Sequence, residues 1–293
     1  LLFRFQNADK APVACTPQVV GLAYYNTAEN ALYVCNGDSF HLFAAAAAPG
    51  AKGNPGKSCA DILAAAPETA DGARWISAGG VVEEVWCDMT TEGGGWTLVG
   101  VVSAADGQSW TSASGNWEKD SVFGSLDPAK NADYKAHAFA NLAADELMIR
   151  HKGAFLLRTA SCLGGKSMAD RFATLQWDCG GSAALNGSVA CAHACTVAKA
   201  TPNGADLALT EGKAISHLFF KAGEADGAQD TNKDRAYLST SARDGVDTPF
   251  GLGGFCSGAS CGGGANQGDI DVSKRDDGVL AVPADNWYPI FVR

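Results

Sequence analysis

The sequence predicts an α+β protein with short twisted antiparallel sheets, few short helices and many loops, stapled by disulfides and preceded by a small N-terminal β-hairpin. Three observations carry this. Thirty-five glycines stand against only 18% charged residues, a balance that disfavours long solvated helices and suits short strands joined by turns. Ten cysteines, an even number, are spread from Cys15 to Cys261 with little metal-like clustering, which reads as a disulfide framework. The apolar residues come as short alternating or continuous runs bounded by Gly, Asn and Asp, the pattern of strands.

The chain has 293 residues, 46% of them hydrophobic, enough to fill a core and to exclude intrinsic disorder. A net charge of −10 repels nucleic acid and anionic membranes and favours cations, so no nucleic-acid partner is expected. No run approaches the roughly 20 apolar residues of a spanning helix, and the longest bland run, Ala44 to Ala48, is far shorter. The sequence opens on Leu1 without a basic-then-apolar leader, as a trimmed secreted form would. The expected location is extracellular or at the cell surface.

The first region, 1–43, holds Leu22-Ala-Tyr-Tyr-Asn-Thr-Ala-Glu-Asn-Ala-Leu-Tyr-Val-Cys35, two β-prone runs around a turn, which reads as a hairpin closed by Cys15 and Cys35. Ahead of it, Leu1-Leu-Phe-Arg-Phe-Gln reads as an apolar strand, paired within its own chain or donated to a neighbouring subunit. Residues 44–57 include Gly50-Ala-Lys-Gly53-Asn-Pro-Gly56, a linker with a short collagen-like stretch too brief for a triple helix. Residues 58–293 read as one continuous domain. There Ser58 and Asp61 suit the caps of a short helix, and Val81-Val-Glu-Glu-Val-Trp-Cys87 and Trp96-Thr-Leu-Val-Gly-Val-Val102 suit strands. Shorter strands are expected near 154–158, 217–221 and 290–293.

The segment Cys87-Asp-Met-Thr-Thr-Glu-Gly-Gly-Gly-Trp-Thr-Leu-Val99, with Ser58-Cys-Ala-Asp-Ile and Asp71-Gly before it, resembles the signature of fibrinogen-related domains. Gly115-Asn-Trp117, Phe123-Gly-Ser125, Asp133-Tyr-Lys135, Ala144-Asp-Glu-Leu147 and Cys256-Ser-Gly-Ala-Ser-Cys261-Gly-Gly-Gly are most similar to the intelectin branch. The resemblance implies a Cys59 to Cys87 bridge, a late Cys256 and Cys261 pair, and calcium-dependent binding of glycans or glycoproteins just after that pair. On the residues present here, Ser260, Asn266, Asp269 and Asp271 are the oxygen donors of that segment, and Asp106 is the remaining carboxylate after the Trp96 strand. A hard Ca2+ ion takes six to eight oxygens, so sugar hydroxyls can replace its waters. The chain departs from the branch in lacking its calcium-binding His between Cys256 and Cys261, and in offering Asp269 or Asp271 for its following Glu.

Other constellations are weaker. Asp226, Asp230 and Asp234 alternate with polar residues around Gly227 and read as a calcium loop or a solvated turn; the bidentate Glu that closes an EF-hand loop is absent. Cys191-Ala-His-Ala-Cys195 reads as half a zinc site or as disulfide cysteines, and the missing Cys-x-x-Cys pairing favours disulfides. Cys162, Cys179, Cys191 and Cys195 allow three connectivities. Trp287 and Tyr288 either flank a sugar or belong to the core, and Asn186-Gly-Ser188 is a glycosylation sequon. No nucleophile elbow, His-Glu-x-x-His helix or phosphate loop occurs, so catalysis is not expected. The functions left are a calcium-dependent lectin, or a structural and adhesive subunit that forms oligomers or filaments through residues 1–43.

Overall fold

The structure is a computed structural model. It describes residues 6–45, 47–103, 105, 110, 115–151, 155–174, 192–201, 217–222, 236–240, 251–252, 270–274, 278–280 and 287–293. The chain divides into two compact units, Leu1–Pro55 and Gly56–Arg293.

In the first unit, β1 (Gln6–Ala8), β2 (Ala23–Asn26), β3 (Ala31–Cys35) and β4 (Phe40–Ala45) form one sheet in sequence order. The expected hairpin is β2 and β3, and it is larger than the sequence suggested. Strand β1 adds to β2 in parallel and β4 adds to β3 antiparallel, because an isolated hairpin buries too little surface to persist. Both turns are built on asparagine. The Asn26 side-chain oxygen accepts from the Ala28 and Glu29 N–H groups at 3.0 and 3.1 Å, and that of Asn36 accepts from Asp38 and Ser39 at 3.0 and 2.9 Å. Cys15 and Cys35 are bridged, and Tyr24 packs between Tyr33 and Phe40. Residues 1–5, read as an apolar strand, lie outside the described residues.

The second unit opens with α1 (Cys59–Ala65), capped as the sequence suggested: Ser58 Oγ accepts the Asp61 N–H at 3.1 Å, and the Asp61 carboxylate accepts the Lys57 N–H at 3.0 Å. Strands β5 (Gly72–Ala78), β6 (Val81–Asp88), β7 (Trp96–Ser103) and β8 (Tyr134–Lys135) follow, then α2 (Ala138–Asn141), β9 (Leu147–His151), β10 (Phe155–Ser161) and α3 (Met168–Ala173). The remainder is β11 (Ala192–Thr201), β12 (His217–Ala222), β13 (Ala236–Thr240), β14 (Gly251–Leu252), β15 (Ile270–Lys274), β16 (Gly278–Leu280) and β17 (Trp287–Val292). These strands join a thirteen-stranded sheet in the order β16 to β9, then β17, then β7, β6 and β5, with β8 on β7. The architecture is α+β, with sheet dominant and helices short.

The order has one break in sequence: β17 lies between β7 and β9 and is antiparallel to both. Every residue of β7 is buried, as its continuous apolar run predicts for a strand covered on both faces. The glycine run before it is sterically required. Gly94 adopts φ +70°, and a Cβ there would sit 2.0 Å from the Met89 carbonyl oxygen. The turn delivers Trp96 into the core, where its indole N–H donates to the Thr91 carbonyl at 2.8 Å.

Arg293 locks this corner. Its guanidinium lies 4.2 Å from the Trp96 ring centre, donates to the carbonyls of Glu92 and Gly94, and pairs with the Glu146 carboxylate. Its own carbonyl accepts the Asp145 and Glu146 N–H groups at 2.8 Å. Glu146 also pairs with Arg158 at 3.0 Å, so two cations share one carboxylate in a half-buried setting.

Next to β7 lies an aromatic cluster. Trp110 packs on Trp117, Phe123 and Phe139, and the chain of rings continues through Phe172 to Phe220. Within it Lys135 is fully buried, 4.7 Å from the Phe139 ring centre, its ammonium donating to the Asn116 and Lys119 carbonyls. Burial lowers its pKa to about 8; Asp120 opposes that shift and Lys119 adds to it.

Two outcomes are expected. Arg293→Ala removes one of the two cations on a mostly shielded carboxylate and two further hydrogen bonds, so it should cost about 2–4 kcal/mol in urea denaturation; a loss below about 0.5 kcal/mol would show that the corner holds without it. For Lys135, both folded and unfolded chains carry the proton below pH 8, and the full cost of burying the cation is felt. Between pH 8 and the ordinary lysine value only the unfolded chain keeps the proton, so stability rises with pH across that window. From pH 7 to 9.5 the wild type should gain about 2 kcal/mol relative to Lys135→Met. Parallel pH profiles for the two proteins would refute the assignment.

Candidate functional site

In an antiparallel ladder, successive connections alternate between the two ends of the sheet. From β10 to β15 every neighbouring pair is antiparallel. The connections after β10, β12 and β14 therefore leave and return at one end. At that end the chain leaves the sheet at 161, 222 and 252 and re-enters it at 192, 236 and 270. The register makes the return points concrete: Ala222 lies opposite Ala236, and Leu252 opposite Ile270.

This topology sorts the sequence-derived candidates. Asp226, Asp230 and Asp234 belong to the 223–235 connection, and Ser260, Asn266 and Asp269 to the 253–269 connection, all outside the described residues. Asp271 lies on β15 opposite Gly251 of β14. Two oxygen-rich connections thus begin and end at the same sheet end, with Asp271 one step inside it. Asp106, also outside the described residues, follows β7, whose Ser103 lies opposite Trp287 at the start of β17. Because β17 runs parallel to β10, β12 and β14, β7 ends at the opposite end of the sheet from the two acidic connections. Among the described residues, no group of three or more His, Cys, Asp or Glu side chains is arranged to hold a metal.

The cysteines also sort. Cys59 is bridged to Cys87, fastening α1 to β6, and Cys162 is bridged to Cys195, fastening the end of β10 to β11. The second bridge agrees with the disulfide reading of Cys195 over half a zinc site, because Cys195 spends its sulfur on Cys162. Linking positions 33 residues apart stabilises by about 3–4 kcal/mol in the chain-entropy picture. Cys179, Cys191, Cys256, Cys261 and the sequon Asn186 lie outside the described residues.

Trp287 and Tyr288 part ways, as neighbours on a strand must. Tyr288 is fully buried and stacked against His151, 4.8 Å between ring centres, with no exposed surface to offer a sugar. Trp287 is half-buried on the other face, its indole N–H donating to the Pro128 carbonyl at 3.1 Å.

Trp287 borders a groove of about 530 Å³ on the second unit. Alternation places Trp287, Pro289 and Phe291 of β17 on this face together with Trp86 and Asp88 of β6 and Arg150 of β9, while Asp71, Pro128 and Ala129 complete its wall. Asp88 is almost wholly buried; one of its oxygens takes the Thr90 and Thr91 N–H groups, and the other takes Arg150 Nη1 at 2.7 Å. Asp71 accepts the Met89 N–H at 2.6 Å and the Thr90 hydroxyl at 3.1 Å. Sequence reading placed Trp86 only within a strand and passed over Asp71 and Arg150 as site residues. Period-two alternation in each strand was available, but the meeting of β6, β9 and β17 depends on β17 inserting out of sequence order.

No family model matches the chain. Among solved structures it is similar to the fibrinogen-like globe domain of human ANGPTL6, with a TM-score of 0.38 and 13% identity over 82% of this chain and 96% of that one. It is likewise similar to the fibrinogen-like globe domain of human ANGPTL2, with a TM-score of 0.40 and 13% identity over 82% of this chain and 99% of that one.

Proposed function

We propose that the protein is an extracellular binding protein that captures glycan hydroxyls through a calcium ion held by the 253–269 connection and the start of β15. The observation that supports this most directly is topological: the connections bearing Asp226, Asp230 and Asp234 and bearing Ser260, Asn266 and Asp269 share one sheet end, beside Asp271. The donor chemistry fits the ion. Carboxylates, an amide and a hydroxyl are hard oxygen ligands, and calcium takes six to eight oxygens, so several protein donors leave positions for two sugar hydroxyls. A net charge of −10 favours the cation, and three disulfides among the described residues suit an oxidising compartment. The intelectin-like Cys256 to Gly264 segment supplies the analogy to sugar capture. On a glycan array, retention should rise at least about tenfold on adding calcium to chelated protein, and Asp271→Asn should remove that rise. Equal retention with calcium and with chelator would end the calcium reading.

A second reading, assembly through the first unit, draws on β4. Among the described residues it is an edge strand with one paired side, and Leu42 and Phe43 on it are 58% and 72% exposed. Such an edge invites pairing with another chain. Deleting residues 1–14 and replacing Leu42 and Phe43 with Lys should reduce the particle mass to that of one chain in light scattering. A mass that is already that of one chain before the changes would dismiss this role.

A further inference from the structure

We propose that the groove between Trp86 and Trp287 is a second, calcium-independent binding site for a neutral pyranose. It contains none of the calcium donors named above and does not rest on that reading.

The volume, about 530 Å³, falls within the roughly 300–1,000 Å³ of small-ligand sites, too large for an ion and too small for a folded partner. Its floor is the face of β17, which lies between β7 and β9, and of the end of β6, where residues 87 and 88 pair with β7. An occupant lying on that face is held by ring contact and side-chain hydrogen bonds. Two half-buried indoles, Trp86 and Trp287, supply the flat surfaces on which the C–H face of a sugar ring packs.

The polar groups select among occupants. Arg150 is 31% exposed in its side chain, and its protein hydrogen bonds among the described residues, to Asp88 and Thr91, use Nη1 alone. Nε and Nη2 are therefore donors open to a ligand. Asp71 accepts two hydrogen bonds where a carboxylate can accept about four. Donor and acceptor stand at one groove, which suits hydroxyls, since each hydroxyl both gives and takes. A proline-rich peptide has no N–H to give the carboxylate, and the Trp287 N–H that would serve its carbonyls is already bound to Pro128. An anion is disfavoured because two carboxylates border the groove against one guanidinium. A neutral sugar remains.

The test is saturation-transfer NMR on the full chain in EDTA, with methyl β-D-glucopyranoside, methyl β-D-galactopyranoside and methyl α-D-mannopyranoside as probes. At least one should receive saturation on its ring C–H protons with a millimolar Kd. Trp86→Ala and Arg150→Gln should each weaken it at least about tenfold, while Trp86→Phe, which keeps a flat ring, retains it. Circular dichroism confirms that each variant is folded, and Arg150→Gln leaves both indoles in place should Trp86→Ala fail that check. Transfer to none of the three sugars in EDTA would overturn the proposal. So would transfer unchanged in a folded Arg150→Gln protein, or Trp86-dependent binding of a decaproline peptide in place of sugar. Transfer that appears only with calcium would also overturn it and would leave the calcium reading standing, so the two fail separately.

Discussion

The insertion of β17 between β7 and β9 is the constraint on which the second unit depends. Without it, strands β5 to β8 and strands β9 to β16 would be two sheets with no hydrogen-bonded neighbour in common. The strand brings its own fastening. Ile290 and Val292 enter the core, and Arg293 gathers Glu146, the Glu92 and Gly94 carbonyls and the Trp96 ring at one corner. An arginine suits this corner because its planar fork can stack on an indole while donating in several directions at once. The Gly93 to Gly95 turn is the matching half of the device, since a side chain at Gly94 would collide with the Met89 carbonyl.

The two proposed binding surfaces lie at different places on the joined sheet. On the outward face of the joined sheet, β17 contributes every second residue to the groove that Trp86, Asp88 and Arg150 complete. At the end where β17 terminates, the antiparallel ladder from β10 to β15 returns its acidic connections to the same side. The groove lies on the face of strands joined by β17. The two proposed modes of recognition, one by coordination and one by ring stacking, would use separate parts of the unit and leave its core unchanged.

Much of this was legible in residues. The Asn-centred turn of the hairpin, the Ser58 and Asp61 cap, the buried β7 and the glycine turn before Trp96 are local, and local sterics and hydrogen bonding decide them. Several motifs that carried the resemblance prove to build the interior. Trp117 is buried against Trp110, Gly124 would collide with the Asp133 carbonyl if it bore a Cβ, and Lys135 is the buried cation of the aromatic cluster. Their likeness therefore speaks for scaffold, and the ligand must be argued from other residues.

What the sequence determined by itself was the material: an acidic, glycine-rich chain with paired cysteines, strand-forming runs and oxygen-rich connections, because composition and short-range periodicity act within a few residues of one another. What only the tertiary structure decided was which of these meet. Cys195 joins Cys162 and leaves Cys191, Tyr288 turns inward while Trp287 turns outward, and Trp86, Arg150 and Asp71 converge on a groove no local pattern announces. The physical reason is that β17 pairs with strands far from it in sequence, and long-range pairing is selected by the burial of a whole face, a quantity that no window of residues contains.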